Sequence, residues 1–151
     1  MDYRLEVVVV PVSDVDRAKA FYADQVGFVV DVDFTPNEQY RVVQLTPPGS
    51  GCSITIGKGL SDMAPGAIKG LQLVVADIDA ARADLLTRGV PVGNVQHHDG
   101  TGMVDGRGGD WNSFVFFSDP DGNSWAVQES PAMHAELAAT AASGGAEVSH
   151  S

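Results

Sequence analysis

Two stretches decide the fold: residues 7–20, VVVVPVSDVDRAKA, and residues 70–83, GLQLVVADIDAARA. Each is a β-branched apolar run, then a short acidic turn, then the opening of an amphipathic helix. Setting Asp14-Val15-Asp16 over Asp77-Ile78-Asp79 also superposes Ala18 on Ala81. Each copy continues to a glycine near the helix end, Gly27 in the first and Gly89 in the second. Repetition over this length implies two copies of one supersecondary unit, packed together because neither buries its apolar face alone. The ligand site is therefore expected on the inward faces of paired strands.

Composition sets the class. A chain of 151 residues, 44% hydrophobic and 19% charged, suits a single soluble globular domain. No apolar run approaches the roughly 18 residues that a membrane span needs. The start, MDYRLEVVVV, has none of the regions of a signal peptide, and one cysteine, Cys52, cannot form an intrachain disulfide. A cytoplasmic protein is expected. The formal net charge of −11, from 20 acidic and 9 basic side chains, disfavours nucleic acid and anionic membranes as partners. It serves solubility, and it suits a cationic small molecule.

The first unit covers about residues 4–57. Leu5, Val7 and Val9 lie on one face of its first strand and Val8 and Val10 on the other, so burial on both faces is expected. Ser13 or Asp14 caps the helix that follows. Ala18, Phe21, Tyr22 and Val26 form its apolar stripe, and Gly27 stops it. Strands are expected at 28–34, 40–46 and 52–57, which makes the unit βαβββ. A polar connector, 58–69, leads to the second unit, about 70–130. Its strand is expected at 70–76, its helix at about 78–88, and further strands at 91–96, 112–118 and 123–129. A Gly- and Asp-rich loop spans 98–110, and Asp119-Pro120-Asp121-Gly122 forms a tight turn. The Ala- and Ser-rich tail, 131–151, is expected to be partly disordered, with a helix over 132–142. Phe114 and Phe116 share a strand face opposite Phe117, and all three read as core. The fold class expected is α+β: tandem βαβββ units forming a curled mixed sheet with a concave cleft.

The two units, the Phe21-Tyr22 pair in the first helix and DPDGN before the last strand resemble the vicinal oxygen chelate superfamily. That group includes glyoxalase I, extradiol dioxygenases and bleomycin-resistance proteins. The matching segments are Val10 to Gly27, Leu71 to Gly89 and Phe117 to Glu129, and the resemblance covers about residues 4–130. Metal-binding members place His, Gln or Glu at four inward positions, and the metal holds two neighbouring substrate oxygens. Carried over, those positions fall on about Val7, Thr55, Gln72 and Ala126. Valine and alanine offer no donor, so the resemblance implies a member without the usual metal and without a cofactor. It also implies a homodimer.

The remaining candidates follow from chemistry. Gln72 is a polar residue within LQLVV and can hydrogen-bond a ligand, and Gln128 shares the face of Ala126. Trp111 ends the glycine-rich loop and is suited to stack on a planar ligand while the loop covers the pocket. His97 or His98 is a candidate general base. Glu129 and Glu6 are the carboxylates nearest the old metal position. Two functions are open. One is a binding protein that holds a small, mostly apolar molecule in a metal-free cleft. The other is a lyase, isomerase or hydrolase, either metal-independent or using a non-standard divalent-metal site.

Overall fold

A computed structural model describes residues 1–150, with side chains through Ala142. The first unit runs β1 (Val7–Val9), α1 (Val15–Ala20) with a π-helical continuation (Phe21–Val26), β2 (Val29–Asn37), β3 (Tyr40–Thr46) and β4 (Ser53–Lys58). Its sheet has the order β1-β4-β3-β2, with β1 parallel to β4 and the other pairs antiparallel. The second unit runs β5 (Leu71–Val75), α2 (Ile78–Thr87), β6 (Gln96–His98), β7 (Met103–Asp105), β8 (Phe114–Ser118) and β9 (Ser124–Glu129). Its order is β5-β9-β8-β6-β7, and again the first strand lies parallel to the last. The repeat read from the sequence is thus a repeat of topology, built as two open sheets.

The matched acidic turns cap the matched helices. Asp14 and Asp77 sit in extended backbone, and each accepts from the backbone N–H three residues on, at 3.0 Å. The first helix departs from a regular α-helix at Phe21. The wider π turn lets the adjacent Phe21 and Tyr22 both reach the core. Gly27, at φ 91°, then turns the chain into β2.

The helix-facing sides of both sheets share one core. Tyr22, Phe28, Leu45 and Ile56 of the first unit join Ile78, Val115, Phe117, Trp125 and Val127 of the second. The Trp125 ring lies 5.8 Å from Tyr22, 5.7 Å from Phe28 and 6.0 Å from Phe117, stacked on the last. A buried polar network crosses the same seam. Asp119 accepts from the Tyr22 hydroxyl at 2.7 Å, from Asn123 Nδ2 at 2.7 Å and from two backbone N–H groups of its own turn. The Trp125 indole donates to the Tyr22 hydroxyl at 3.0 Å, and Asn123 also donates to the Pro11 carbonyl. The Phe21-Tyr22 pair and DPDGN are therefore two halves of one inter-unit joint. Burial, then the Asp119 carboxylate, push the Tyr22 hydroxyl far above an ordinary phenol.

Four expectations need correction. Residues 91–95 are not a strand, because Pro91 and Gly93 interrupt the ladder. The loop at 98–110 is largely a hairpin: β6 and β7 pair across a turn in which Asp99 accepts from the Thr101 hydroxyl and the Thr101 and Gly102 N–H groups. These bonds hold the Asp99 carboxyl down at about 2. The first strand is not buried on both faces: Val7 is 39% exposed, Val8 and Val9 are half-buried, and full burial begins at Val10, just past β1, at 1%. Phe117 is core, but Phe114 and Phe116 stack at 6.1 Å on the opposite face, and Phe116 is 41% exposed. The tail enters a helix, α3 (Pro131–His150). Its expected disorder falls at an end where the side chains beyond Ala142, and Ser151 entirely, lie outside the described residues.

Candidate functional site

Because the helix-facing sides are buried together, the opposite, concave faces of both sheets point away from the shared core. Strand register defines each face row by row. In the first sheet one row is Val29, Thr46, Ser53 and Val7, and the next is Val32, Gln44, Thr55 and Val9. Phe34 and Val42 follow. Hydroxyls and an amide form the middle of this face: Thr46 Oγ1 and Ser53 Oγ lie 2.6 Å apart, and Gln44 Nε2 donates to Ser53 at 3.4 Å. Apolar side chains flank them.

In the second sheet one row is Gln72, Ala126 and Phe116, and the next is Val74, Gln128, Phe114 and Gln96. Gln72 and Ala126 are direct cross-strand partners. Gln72 Nε2 donates to Gln128 Oε1 at 2.6 Å, and Gln128 Nε2 donates to the Trp111 carbonyl at 2.7 Å. Three residues singled out from the sequence thus form one amide relay. The relay consumes both ends of Gln128 but only the nitrogen of Gln72. Gln72 is exposed and not, as its apolar strand suggested, buried.

Trp111 is held in a strained backbone, at φ 62°, the one positive φ outside glycine among the described residues. The segment that presents it clasps the end of β9 from both sides. On the concave side the Trp111 carbonyl takes Gln128. On the helix side Arg107 pairs with Glu129 at 2.6 Å and with Asp79 of α2 at 2.8 Å. Between them the Ser113 carbonyl accepts from Glu129 N–H at 3.0 Å. Asn112 ties the segment to His98 through two bonds. At Gly108 a Cβ would stand 2.2 Å from the Asn112 carbonyl, so only glycine fits there. Together these bonds fasten the segment that carries Trp111.

The other candidates fall elsewhere. His97 Nδ1 lies 2.9 Å from the Gly106 carbonyl, and His98 Nδ1 accepts from Gly100 N–H at 3.0 Å. Both rings brace the hairpin, and neither is paired with a carboxylate among the described residues. Glu129 points to the helix side, where the Ile78 N–H, then Arg107, hold its carboxyl below the usual range. Glu6 is exposed ahead of β1 and contributes its carbonyl to Ser53 N–H. Sequence reasoning missed Arg107, because its two partners are distant in the chain and no local pattern announces them.

The sequence profile of the Glyoxalase/Bleomycin resistance protein/Dioxygenase superfamily matches residues 4–127. The chain belongs to that superfamily. Solved structures agree with the profile. An antibiotic-binding protein, TnmS3, from Streptomyces sp. CB03234 is 32% identical with a TM-score of 0.70, covering 85% of this chain and 97% of that one. A glyoxalase/bleomycin resistance protein from the same source is 34% identical with a TM-score of 0.66, covering 83% and 99%. A superfamily member from Sphaerobacter thermophilus DSM 20745 is 27% identical with a TM-score of 0.67, covering 85% and 98%. No curated protein matches.

The metal that other superfamily members hold does not fit these residues. Val7 and Ala126 carry hydrocarbon, Thr55 a buried hydroxyl, and Gln72 one neutral amide oxygen, short of the three protein ligands that a catalytic zinc takes. Among the described residues no three His, Cys, Asp or Glu side chains converge. A cavity of about 600 Å3 opens beside Phe116 and Ala126, at the sheet end bounded by Gly70, Pro91, Phe117, Ser118, Ser124 and Trp125; of the four carried-over metal positions only Ala126 lines it, and the Gln72–Gln128–Trp111 relay lies outside it. Gln72 lines a smaller one, about 200 Å3, which it shares with Ser53 of the first sheet. No helix among the described residues is long and apolar enough to cross a membrane.

Proposed function

We propose that this chain binds a small, mostly apolar molecule in a metal-free cleft, lined by Gln72, Trp111, Gln128 and Ala126 of the second unit and by Val7 and Thr55 of the first. The observation that carries this reading is where the exposed apolar area lies. Val7, Val29, Val32 and Phe34 on one concave face, and Val74, Phe116 and Trp111 on the other, are all at least 39% exposed, while the helix-facing sides are sealed. Apolar side chains grouped on a concave surface with a few amides at hand are the makings of a ligand site. The likeness to an antibiotic-binding protein supports the same reading.

The active form is a homodimer. One chain presents two half-cups that face away from a common core, so neither closes on the other. A two-fold partner sets a first-unit face against a second-unit face twice over, covering both apolar surfaces in one isologous arrangement. The protein works in the cytoplasm, where the Cys52 thiol stays reduced. Titration with a panel of planar aromatic antibiotics, followed by tryptophan emission, tests the binding. Trp111 is 47% exposed and Trp125 3%, so quenching that disappears in Trp111→Phe locates the ligand at the cleft. Binding that survives a chelator supports the metal-free reading. Binding that needs added metal, or sedimentation as a monomer at micromolar concentration, overturns the part it tests.

A further inference from the structure

We propose that Asp31 recognises a protonated nitrogen on the ligand, so that the cleft selects cationic aromatic molecules; this rests on the binding reading and the two-fold pairing above, which set the first-unit face of one chain, with Asp31, against the second-unit face of its partner, and it names the ligand class. The argument begins with a bulge. Strict alternation along β2 would put Asp31 and Asp33 on one face and Val32 and Phe34 on the other. A register shift between Val30 and Val32 breaks that alternation. Val30 opposes Leu45 on the core side, Val32 opposes Gln44, and Phe34 opposes Val42, so Asp31 is the extra residue. Its carboxylate accepts from Thr46 Oγ1, which places it on the concave face with Val29, Val32 and Phe34.

The bulge thereby separates two aspartates that are two residues apart. Asp33 is sent to the helix side, where Lys19 at 2.8 Å and Arg41 at 2.9 Å neutralise it. Asp31 has no cation among the described residues. One carboxylate oxygen holds the Thr46 hydroxyl, and the other carries no bond among the described residues. None of the positions that register places on this face is basic, and no other is acidic. The two basic side chains that meet neighbouring Asp33, Lys19 and Arg41, are committed on the opposite side. The result is a lone anion fixed by a hydroxyl and bordered by Val29, Val32 and Phe34. That combination fits a flat apolar body bearing one protonated nitrogen, which gains a charge-assisted hydrogen bond while its rings cover the valines and Phe34.

The test uses two planar probes of similar shape, 9-aminoacridine, cationic at neutral pH, and uncharged acridone, titrated into the full chain. The parent should hold the cation about tenfold tighter than acridone, as a hydrogen bond between charged groups implies. Asp31→Asn should bring that ratio close to one with little change for acridone, and Asp31→Glu should keep most of it. Asp24→Asn removes an exposed charge elsewhere on this acidic chain and should leave the ratio intact. An unchanged ratio in Asp31→Asn overturns the proposal, and so does an equal fall in Asp24→Asn, which would assign the preference to the overall field. If in either case Trp111→Ala weakens both probes, the cleft stands and only the role of Asp31 fails. Binding of neither probe to the parent overturns this inference, while the antibiotic panel still decides the cleft.

Discussion

At the seam between the units, Tyr22, Asp119, Asn123 and Trp125 bond one another away from solvent. On the concave face of the second sheet, Gln72, Gln128 and the Trp111 carbonyl bond one another at the surface. The seam is complete: no buried side-chain polar atom among the described residues lacks a partner. The relay is not, since the Gln72 carbonyl oxygen is unengaged among the described residues. A closed network fixes structure, and deleting a member strands the rest in a low-dielectric interior. An open one can exchange a partner for a ligand at little cost to folding. The same contrast separates two aromatic groups of the molecule, the sealed Trp125 cluster and the exposed Phe114–Phe116 stack.

The sharpest way to break the contrast is at Asp119. Asp119→Ala leaves the Tyr22 hydroxyl, the Asn123 amide and two backbone N–H groups without their acceptor. A drop of about 3–5 kcal/mol in stability to urea is expected, as for breaking other buried charged interactions. A drop below about 1 kcal/mol would mean that the seam is not what joins the units.

Trp111→Gly takes the opposite side of the comparison. It removes the indole and also relieves the left-handed backbone at φ 62°. Relief of roughly 1–2 kcal/mol of strain offsets the packing that the indole supplied, so stability should stay within about 1 kcal/mol of the parent. Ligand affinity should fall by about 2 kcal/mol, as for a central aromatic anchor. Isothermal titration beside thermal melts separates the two effects. A variant that melts early yet binds normally would reverse the roles assigned to Trp111.

Glu129 lies between the two regions, bonded on the helix side but next to Gln128. Its carboxyl is lowered in the folded chain, so the unfolded chain takes up its proton first. Its contribution is full above about pH 4.3, the ordinary glutamate value, and is lost as pH falls through the lower folded value. Asp33, lowered by Arg41 and then Lys19, adds to the same acid limb. Glu129→Gln should flatten that limb by about 1 kcal/mol between pH 5 and pH 3, read from denaturant midpoints. An unchanged acid limb would place the Arg107 clasp among surface ion pairs of no consequence.

The plan of the fold is legible because its signals are local. Asp14 and Asp77 cap helices from within their own turn, and Gly27 and Gly89 end them. Gln72, Ala126 and Gln128 can be placed on one face because β5 and β9 are regular, so alternation holds along both. It fails at β2, where the bulge after Val30 depends on how β3 lies beside it and leaves no mark in the chain. The 98–110 segment misleads for a related reason. Its glycines read as a loop, yet they admit the close approaches that fasten the hairpin, as at Gly108. Phe114 and Phe116 read as core because an apolar side chain cannot announce whether its face is covered by this chain or by something else.

The smallest expected effect sharpens the comparison most, because it asks whether an open relay behaves as one. Gln72→Leu removes the donor to Gln128 and the unengaged carbonyl oxygen together, while roughly keeping the size of the side chain. Gln128 keeps its bond to the Trp111 carbonyl and regains access to solvent on its other side, so folding should be nearly unaffected. A ligand that donates a hydrogen bond into the cleft should bind about 1 kcal/mol more weakly, and one with no donor should bind as before. Paired titrations with such ligands, alike except for one hydroxyl or N–H, measure the difference. Equal weakening of both would mean that Gln72 shapes the cleft only through Gln128, and no weakening of either would move the ligand away from the Gln72–Ala126 row. A selective effect assigns the carbonyl oxygen its partner and makes the incomplete bonding of this face the source of its specificity.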